Sequence, residues 1–354
     1  MCEIEDRVQN KGIGGKIVPV TEAVGMVIAH DITEIRPGEF KGRAFKKGHI
    51  VREEDISHLQ RLGKEHLFIL EVKEDEMHEN DAALAIATAL AGEGIRFDGE
   101  ANEGKINLVA ARDGLLRINR EALLEFNMVG EVMCATVHDN SVVKEGQLVA
   151  GTRAIPLVVK KSDVENAVRI AKGAGGVVSV KEMRKPRAGI VITGNEVFYG
   201  KIKDAFEPVI TRKIKALGGE IIGVQFAPDD AGQIEARLRD LISAGADLII
   251  TTGGMSVDPD DVTRFAIRNI GVSDFTYGSP VLPGSMFLVA YSNNIPILGM
   301  PACGMYASIT VFDLILPRIL AGEKMGRKEI ADLGHGGLCL KCETCRYPIC
   351  PFGK

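Results

Sequence analysis

Three apolar runs, Ala188 to Ile192, Glu220 to Gln225 and Asp247 to Thr251, are separated by two amphipathic patterns, and that alternation narrows the choice of fold more than any other feature. The first pattern places Phe206, Val209, Ile210, Ile214 and Leu217 on one helical face and stops at Gly218-Gly219; the second carries Ile234, Leu238, Leu241 and Ile242. Strand, helix, strand, helix, strand predicts a parallel sheet joined by right-handed crossovers. Further on, Phe287 to Tyr291 and Ile295 to Leu298 flank Ser292-Asn293-Asn294 as a hairpin. A last helix from about Tyr306 to Leu320, bent or ended by Pro317, closes a domain over 186–325.

The first half has weaker periodicity. Short strands are expected at Ala44 to Val51 and Leu67 to Val72 around a helix from Glu53 to Leu62, and a short helix at Thr21 to Val24. Asp81 is expected to cap a helix from Ala82 to Ala91, and Asn119 one from Arg120 to Phe126. Ser162-Asp163-Val164-Glu165 reads as a capping box opening a helix that stops at Gly173 to Gly176. Val129 to Val159 reads as β-rich, with turns at Asp139-Asn140 and Glu145-Gly146. The expected fold class is α/β: a three-layer parallel-sheet domain preceded by a mixed α+β, β-rich N-terminal region. The expected division is an accessory region over 1–75, an α+β region over 76–185, the α/β domain over 186–325 and a cysteine-rich tail over 326–354.

Composition narrows the function classes. Over 354 residues the net charge is -5 and only 5% of residues are aromatic, with no Trp. Neither counterion release nor base stacking is well supplied, which argues against nucleic acid. No apolar run approaches the roughly 20 residues that span a bilayer, and the charged stretch Met1 to Asn10 does not read as a signal peptide, so a cytoplasmic protein is expected.

Three loops should meet at the carboxyl ends of adjacent strands: Thr193-Gly194-Asn195-Glu196, Pro228-Asp229-Asp230, and the run from Thr251 to Asp261. Ligands of open parallel sheets bind at that edge. Gly253 and Gly254 let backbone approach a phosphate, Thr252 and Ser256 can donate to its oxygens, and Glu196, Asp229, Asp230, Asp258 and Asp261 are oxygen donors suited to a hydrated Mg²⁺. The same residues also suit a plainer role. Glycines turn the chain after a strand, and Asp229-Asp230, Asp258, Asp260 and Asp261 can cap the helices that follow.

The three loops resemble the molybdopterin-binding domain shared by molybdenum cofactor synthesis proteins, and the Ser256-Val257 pair with Asp261 resembles the molybdenum insertase branch. Pro283-Gly284-Ser285 and Gly299-Met300-Pro301-Ala302 fall where that branch carries its proline-glycine-lysine and glycine-leucine-proline-glycine-asparagine motifs. The resemblance covers 186–325. It implies binding of adenylated molybdopterin with Mg²⁺ and molybdate, and release of AMP as molybdenum enters the dithiolene. It implies that Asp261 acts at the phosphoanhydride, that Thr252, Gly253, Gly254 and Ser256 cradle phosphate, and that Glu196, Asp229 and Asp230 line the ligand side. Thr193, Gly194, Asn195, Asp258, Pro283, Gly284, Ser285, Pro301 and Ala302 complete the implied cofactor-binding set. Two positions depart from the branch: Ser285 stands for its lysine, and Ala302-Cys303 for its glycine-asparagine pair. A lost cation beside an anion removes a charge-assisted contact of about 1.5–3 kcal/mol.

Cys339, Cys342, Cys345 and Cys350 form a C-x₂-C-x₂-C-x₄-C-P run, four of the seven cysteines within the last sixteen residues. Four thiolates so close suit an iron–sulfur cluster or tetrahedral zinc. Cys303, a lone loop cysteine, reads as inert. The sequence therefore leads to a molybdopterin molybdotransferase-like enzyme, expected to act as a homodimer and to meet a molybdoenzyme or another cofactor-synthesis protein. The alternatives are a noncatalytic molybdopterin carrier or sensor with a metal-binding tail, and hydrolysis of another pyrophosphate nucleotide on the same fold.

Overall fold

The computed structural model describes residues 15–36, 40–70, 72–255 and 261–353. It divides into two compact units. Of the described residues, one unit comprises those up to Ala111, Ile118–Val137 and Glu145–Ser179; the other comprises Arg112–Arg117, His138–Lys144 and those from Val180 onward.

In the first unit, Gly15–Pro19 pairs antiparallel with His66–Leu70, and Ile32–Arg36 with Phe40–Phe45. Val18, Ile28, Ile32, Val51, Leu59 and Leu67 bury against one another beneath a helix at Asp55–Arg61. A four-stranded antiparallel sheet follows, ordered Ile95–Asn102, Lys105–Ala110, Leu148–Ala154, Val132–Thr136. Several local expectations shift. The strand expected over Ala44 to Val51 ends at Phe45, because Gly48 turns the chain at φ +84° and only Ile50 bridges to Val27. The helix expected after Asp81 begins earlier, at Glu79–Leu90, because the His78 ring accepts from the Asn80 N–H. The helix Lys161–Gly173 starts before the supposed capping box, and Lys160, the residue just ahead of it, makes no side-chain cap. Asn119 does cap Arg120–Asn127, accepting from the Ala122 N–H at 3.1 Å.

The second unit is built on β1 (Arg187–Thr193), α1 (Phe206–Ala216), β2 (Glu220–Ala227), α2 (Ala231–Ser243), β3 (Leu248–Thr252), α3 (Thr263–Asn269), β4 (Ser273–Tyr277), β5 (Leu288–Ser292), β6 (Ile295–Met300) and α4 (Val311–Leu320). The strand order is β2-β1-β3-β6-β5-β4. The four strands β2, β1, β3 and β6 are parallel, and β5 and β4 add an antiparallel margin. The strands look uniformly apolar because both faces are covered. Ile190, Ile192, Ile250 and Leu298 point to the layer holding α1 and α4, while Val191, Ile249 and Ile297 point to the layer holding α2 and α3. That is the three-layer α/β arrangement.

The hairpin between β5 and β6 turns through Asn293 and Asn294, both at positive φ (+48° and +69°), the handedness that tight hairpins require. The final helix begins later than Tyr306. Thr310 accepts from the Phe312 N–H while the Asp313 carboxylate accepts from the Thr310 N–H, a capping box that fixes the start at Val311. The helix runs through Pro317 to Leu320.

Candidate functional site

Because β1, β2, β3 and β6 are parallel, their carboxyl ends lie on one edge, and the segment entering antiparallel β5 reaches the same edge. The loops after β1, β2 and β3 are tied to one another. The Asn195 N–H donates to the Asp229 carboxylate at 3.0 Å, and the Asp229 N–H donates to the Asn195 side-chain oxygen at 3.2 Å. The Thr193 hydroxyl donates to the Thr252 carbonyl at 2.8 Å and lies 2.9 Å from the Thr263 hydroxyl. Each tie is a side chain of one strand end closing on the next.

Gly253 and Gly254 sit at φ +80° and +53°. A Cβ at Gly253 would lie 2.2 Å from the Thr193 carbonyl oxygen, and one at Gly254 would lie 2.4 Å from the Thr263 hydroxyl. The glycines are therefore required first by loop-to-loop packing. Beneath them the hydroxyls of Thr251 and Thr252 are buried with no hydrogen-bond partner among the described residues. A buried donor left unmade costs about 1–3 kcal/mol, so such a group calls for a partner.

The carboxylates divide. Asp230 caps α2, its side chain accepting from the Gln233 N–H at 2.8 Å, and Asp229 is held by Asn195. Glu196 is exposed beside Gly194, and Asp261 is half-buried ahead of α3. Ser256, Asp258 and Asp260 lie outside the described residues. Among the described residues no three His, Cys, Asp or Glu side chains converge with metal-binding geometry, so the structure contains no preformed Mg²⁺ cage of Glu196, Asp229, Asp230 and Asp261.

On the far side of the edge, Gly284 at φ +131° packs so closely that a Cβ would lie 2.4 Å from Val311. Ser285 is exposed, and its carbonyl accepts from the Ser279 N–H at 2.9 Å. Pro301 is buried and Ala302 is exposed, opening a turn over Ala302–Met305.

Tyr277 and Arg264, which no sequence motif includes, help to build the same edge. The Tyr277 hydroxyl donates to the Met255 carbonyl at 2.5 Å, the Arg264 guanidinium stands 4.5 Å from the centre of the Tyr277 ring, and a Cβ at Gly299 would lie 2.1 Å from Met255. A glycine inside an otherwise apolar strand was the available signal for that close approach. Arg327 lines a cavity of about 440 Å³ together with Tyr277 and Ser285, placing a cation in the space beside the serine.

Cys303, Cys339, Cys342, Cys345 and Cys350 all line a second cavity, of about 470 Å³, together with Pro283 and Tyr306. None forms a disulfide. Burial pushes the Cys303 thiol up from its ordinary range, so it is a protonated thiol at neutral pH.

With this geometry, a family model described as a probable molybdopterin binding domain matches residues 189–321. Residues 189–321 belong to the molybdopterin-binding domain family. A model described only as a domain of unknown function matches residues 17–71. Among curated proteins, a CinA-like protein of Mycobacterium avium (strain 104) is 44% identical over 77 residues, 22% of this chain and 18% of that protein. A CinA-like protein of Mycobacterium tuberculosis is 43% identical over 93 residues, 25% of this chain and 22% of that protein. The chain thus spans about a fifth of the length of the curated relatives it matches. Among solved structures, the molybdopterin biosynthesis enzyme MoaB of Thermus thermophilus is 23% identical, with 39% of this chain and 98% of that chain covered and a TM-score of 0.34. The molybdopterin biosynthesis MoeA protein of Pyrococcus horikoshii is 16% identical, with 90% of this chain and 78% of that chain covered, also at a TM-score of 0.34. No helix among the described residues is long and apolar enough to cross a membrane.

Proposed function

We propose that the strand-end edge of this molybdopterin-binding domain takes adenylated molybdopterin and acts as a molybdopterin molybdotransferase, inserting molybdenum from molybdate with release of AMP. The observation that carries the reading is the tying of Thr193-Gly194-Asn195-Glu196, Asp229 and Thr252-Gly253-Gly254 into one edge above buried hydroxyls that have no partner among the described residues. Backbone donors around glycine and hydroxyls at strand ends suit phosphate oxygens.

In this reading Thr252, Gly253 and Gly254 hold the pyrophosphate, with Ser256 and Asp258 on the same loop. Glu196 and Asp229 border the ligand, Asp230 keeps α2 in place, and Pro283-Gly284-Ser285 with Pro301-Ala302 form the opposite wall. Asp261 orients the water that adds to phosphorus as the bridging P–O bond breaks and AMP leaves. Glu196 and Asp229 would be the carboxylates to hold a Mg²⁺ beside the pyrophosphate, where it would offset phosphate charge. By the same reading the tail cysteines hold an iron–sulfur cluster or zinc, and the protein works in the cytoplasm as a homodimer.

A second reading, a noncatalytic molybdopterin carrier or sensor, is favoured by one observation: Ser285 brings no charge of its own to the wall. The test is AMP release from adenylated molybdopterin under anaerobic conditions with Mg²⁺ and molybdate. Molybdate-dependent release that Asp261→Ala abolishes supports the transferase. Tight binding without release supports the carrier, and release unchanged in Asp261→Ala removes Asp261 from the reaction.

A further inference from the structure

The cysteine tail is fastened at both ends and exposed between them. At its start, the Leu282 N–H donates to the Gly337 carbonyl and the Cys339 N–H donates to the Leu282 carbonyl, both at 2.8 Å. At its end, Phe352 is 3% exposed and lies in the core cluster of the sheet layer, with Tyr347 packed beside it. Every residue from Leu340 to Arg346 is exposed.

The thiols divide along this arch. Cys339 and Cys350 are partly buried and pack against the core cluster, forming a floor, while Cys342 and Cys345 are exposed on the span above. All four line the same 470 Å³ cavity, whose other wall includes Cys303 and Pro283. As described, the thiols have not converged to metal-ligand geometry. Closing the arch is the motion that would bring the upper pair onto the lower. It would also cover Leu338, Leu340 and Tyr306, apolar side chains that are 63%, 70% and 86% exposed.

We propose that this cavity is a four-thiolate site for a soft metal, zinc or an iron–sulfur cluster, that the arch Leu340 to Arg346 closes on loading, and that closure fixes the Leu282–Ser285 segment of the pterin edge through the two Leu282 hydrogen bonds. The inference rests on the metal reading of the tail and adds its site, its motion and its coupling to the neighbouring edge. Thiolate coordination supplies folding free energy that an open loop lacks, so order in the arch follows the metal. Leu282 transmits it because its N–H and C=O are both spent on the tail residues flanking Leu338, immediately before Pro283.

The experiment uses the full chain, purified anaerobically, stripped with a chelator and titrated with Co²⁺ as a thiolate-sensitive probe. One Co²⁺ per chain with a thiolate-to-metal charge-transfer band is expected, and the band should vanish in the Cys342→Ser/Cys345→Ser double variant. Those exposed positions leave the melting temperature of the stripped protein unchanged. Cys303→Ser should keep the band; losing it overturns the four-thiolate assignment. Hydrogen exchange then reads the coupling. Metal should slow exchange at the Leu282 and Cys339 amides by roughly tenfold or more, as when a local opening is suppressed. Binding without that slowing overturns the coupling, and no band overturns the site. Metal content as purified separates the sources: iron with sulfide marks a cluster, and zinc alone marks a mononuclear site. None of these readouts involves pterin or AMP, so the crevice reading stands or falls separately.

Discussion

The strand-end edge and the cysteine tail both gather chemistry-bearing residues in the second unit, and they are built in opposite ways. The edge is closed by the protein alone: Asn195 and Asp229 exchange two hydrogen bonds, Thr193 reaches across to Thr252 and Thr263, and Gly253 and Gly254 are packed too tightly for any side chain. The tail is fastened by backbone at Leu282 and by Phe352 in the core, while its four thiols are left apart. A site whose ligand is a large anion gains from donors that are already aimed. A site whose ligand is a soft metal can leave its last ordering step to the metal.

The sharpest break of this contrast is Phe352→Ala. Removing a buried ring that anchors the tail should cost about 4 kcal/mol, read from the denaturation midpoint. A loss under about 1 kcal/mol would mean that the tail is not docked through the core. Next is Gly253→Ala, where a Cβ would meet the Thr193 carbonyl oxygen at a backbone angle that favours glycine. Strain and clash together should cost about 3 kcal/mol. If that variant keeps full stability, the edge is not the rigid member of the pair.

Asn195→Ala should cost about 1.5 kcal/mol by removing the side-chain oxygen that accepts from the Asp229 N–H, while the backbone N–H at 195 still donates to the Asp229 carboxylate. It should loosen the edge while leaving Co²⁺ binding at the tail unchanged; an equal effect on both would erase the distinction between them. The smallest effect concerns a charge network beneath the tail. Burial opposes ionisation of Glu323, but hydrogen bonds and charge from Arg318, with the charge of Arg117, outweigh it and hold the carboxyl below its ordinary 4.5. The contribution is therefore present in full above that ordinary value and is lost as pH falls through the lower folded value. Relative to Glu323→Gln, the native protein should be about 1 kcal/mol more stable at neutral pH, and that advantage should fade only below pH 4.5. A gap that stays constant into acid would remove Glu323 as its source.

The legibility of the chain follows the same division. Strands β1 to β3 and their loops could be read because both the apolar runs and the glycine punctuation are local signals. The hairpin at Asn293-Asn294 was local too. The ties between loops were not: nothing near Thr193 announces Thr263, seventy residues on, and Asp230 as a cap could not be told from Asp230 as a ligand without seeing Gln233 beneath it. In the first unit, Gly15–Pro19 pairs with His66–Leu70 across some fifty residues, and segments Arg112–Arg117 and His138–Lys144 belong to the second unit although chain order puts them with the first. Such pairings carry no periodicity of their own. The His78 cap was hidden for a different reason, since a ring nitrogen stands where a Ser or Asp is the usual sign.

The most direct test is hydrogen exchange across the whole chain with and without bound molybdopterin. The account predicts slowed exchange concentrated at Thr193–Glu196, Thr252–Met255 and Gly284–Ser285, with the first unit unchanged. Protection confined to the first unit, or absent from the strand-end loops, would contradict it.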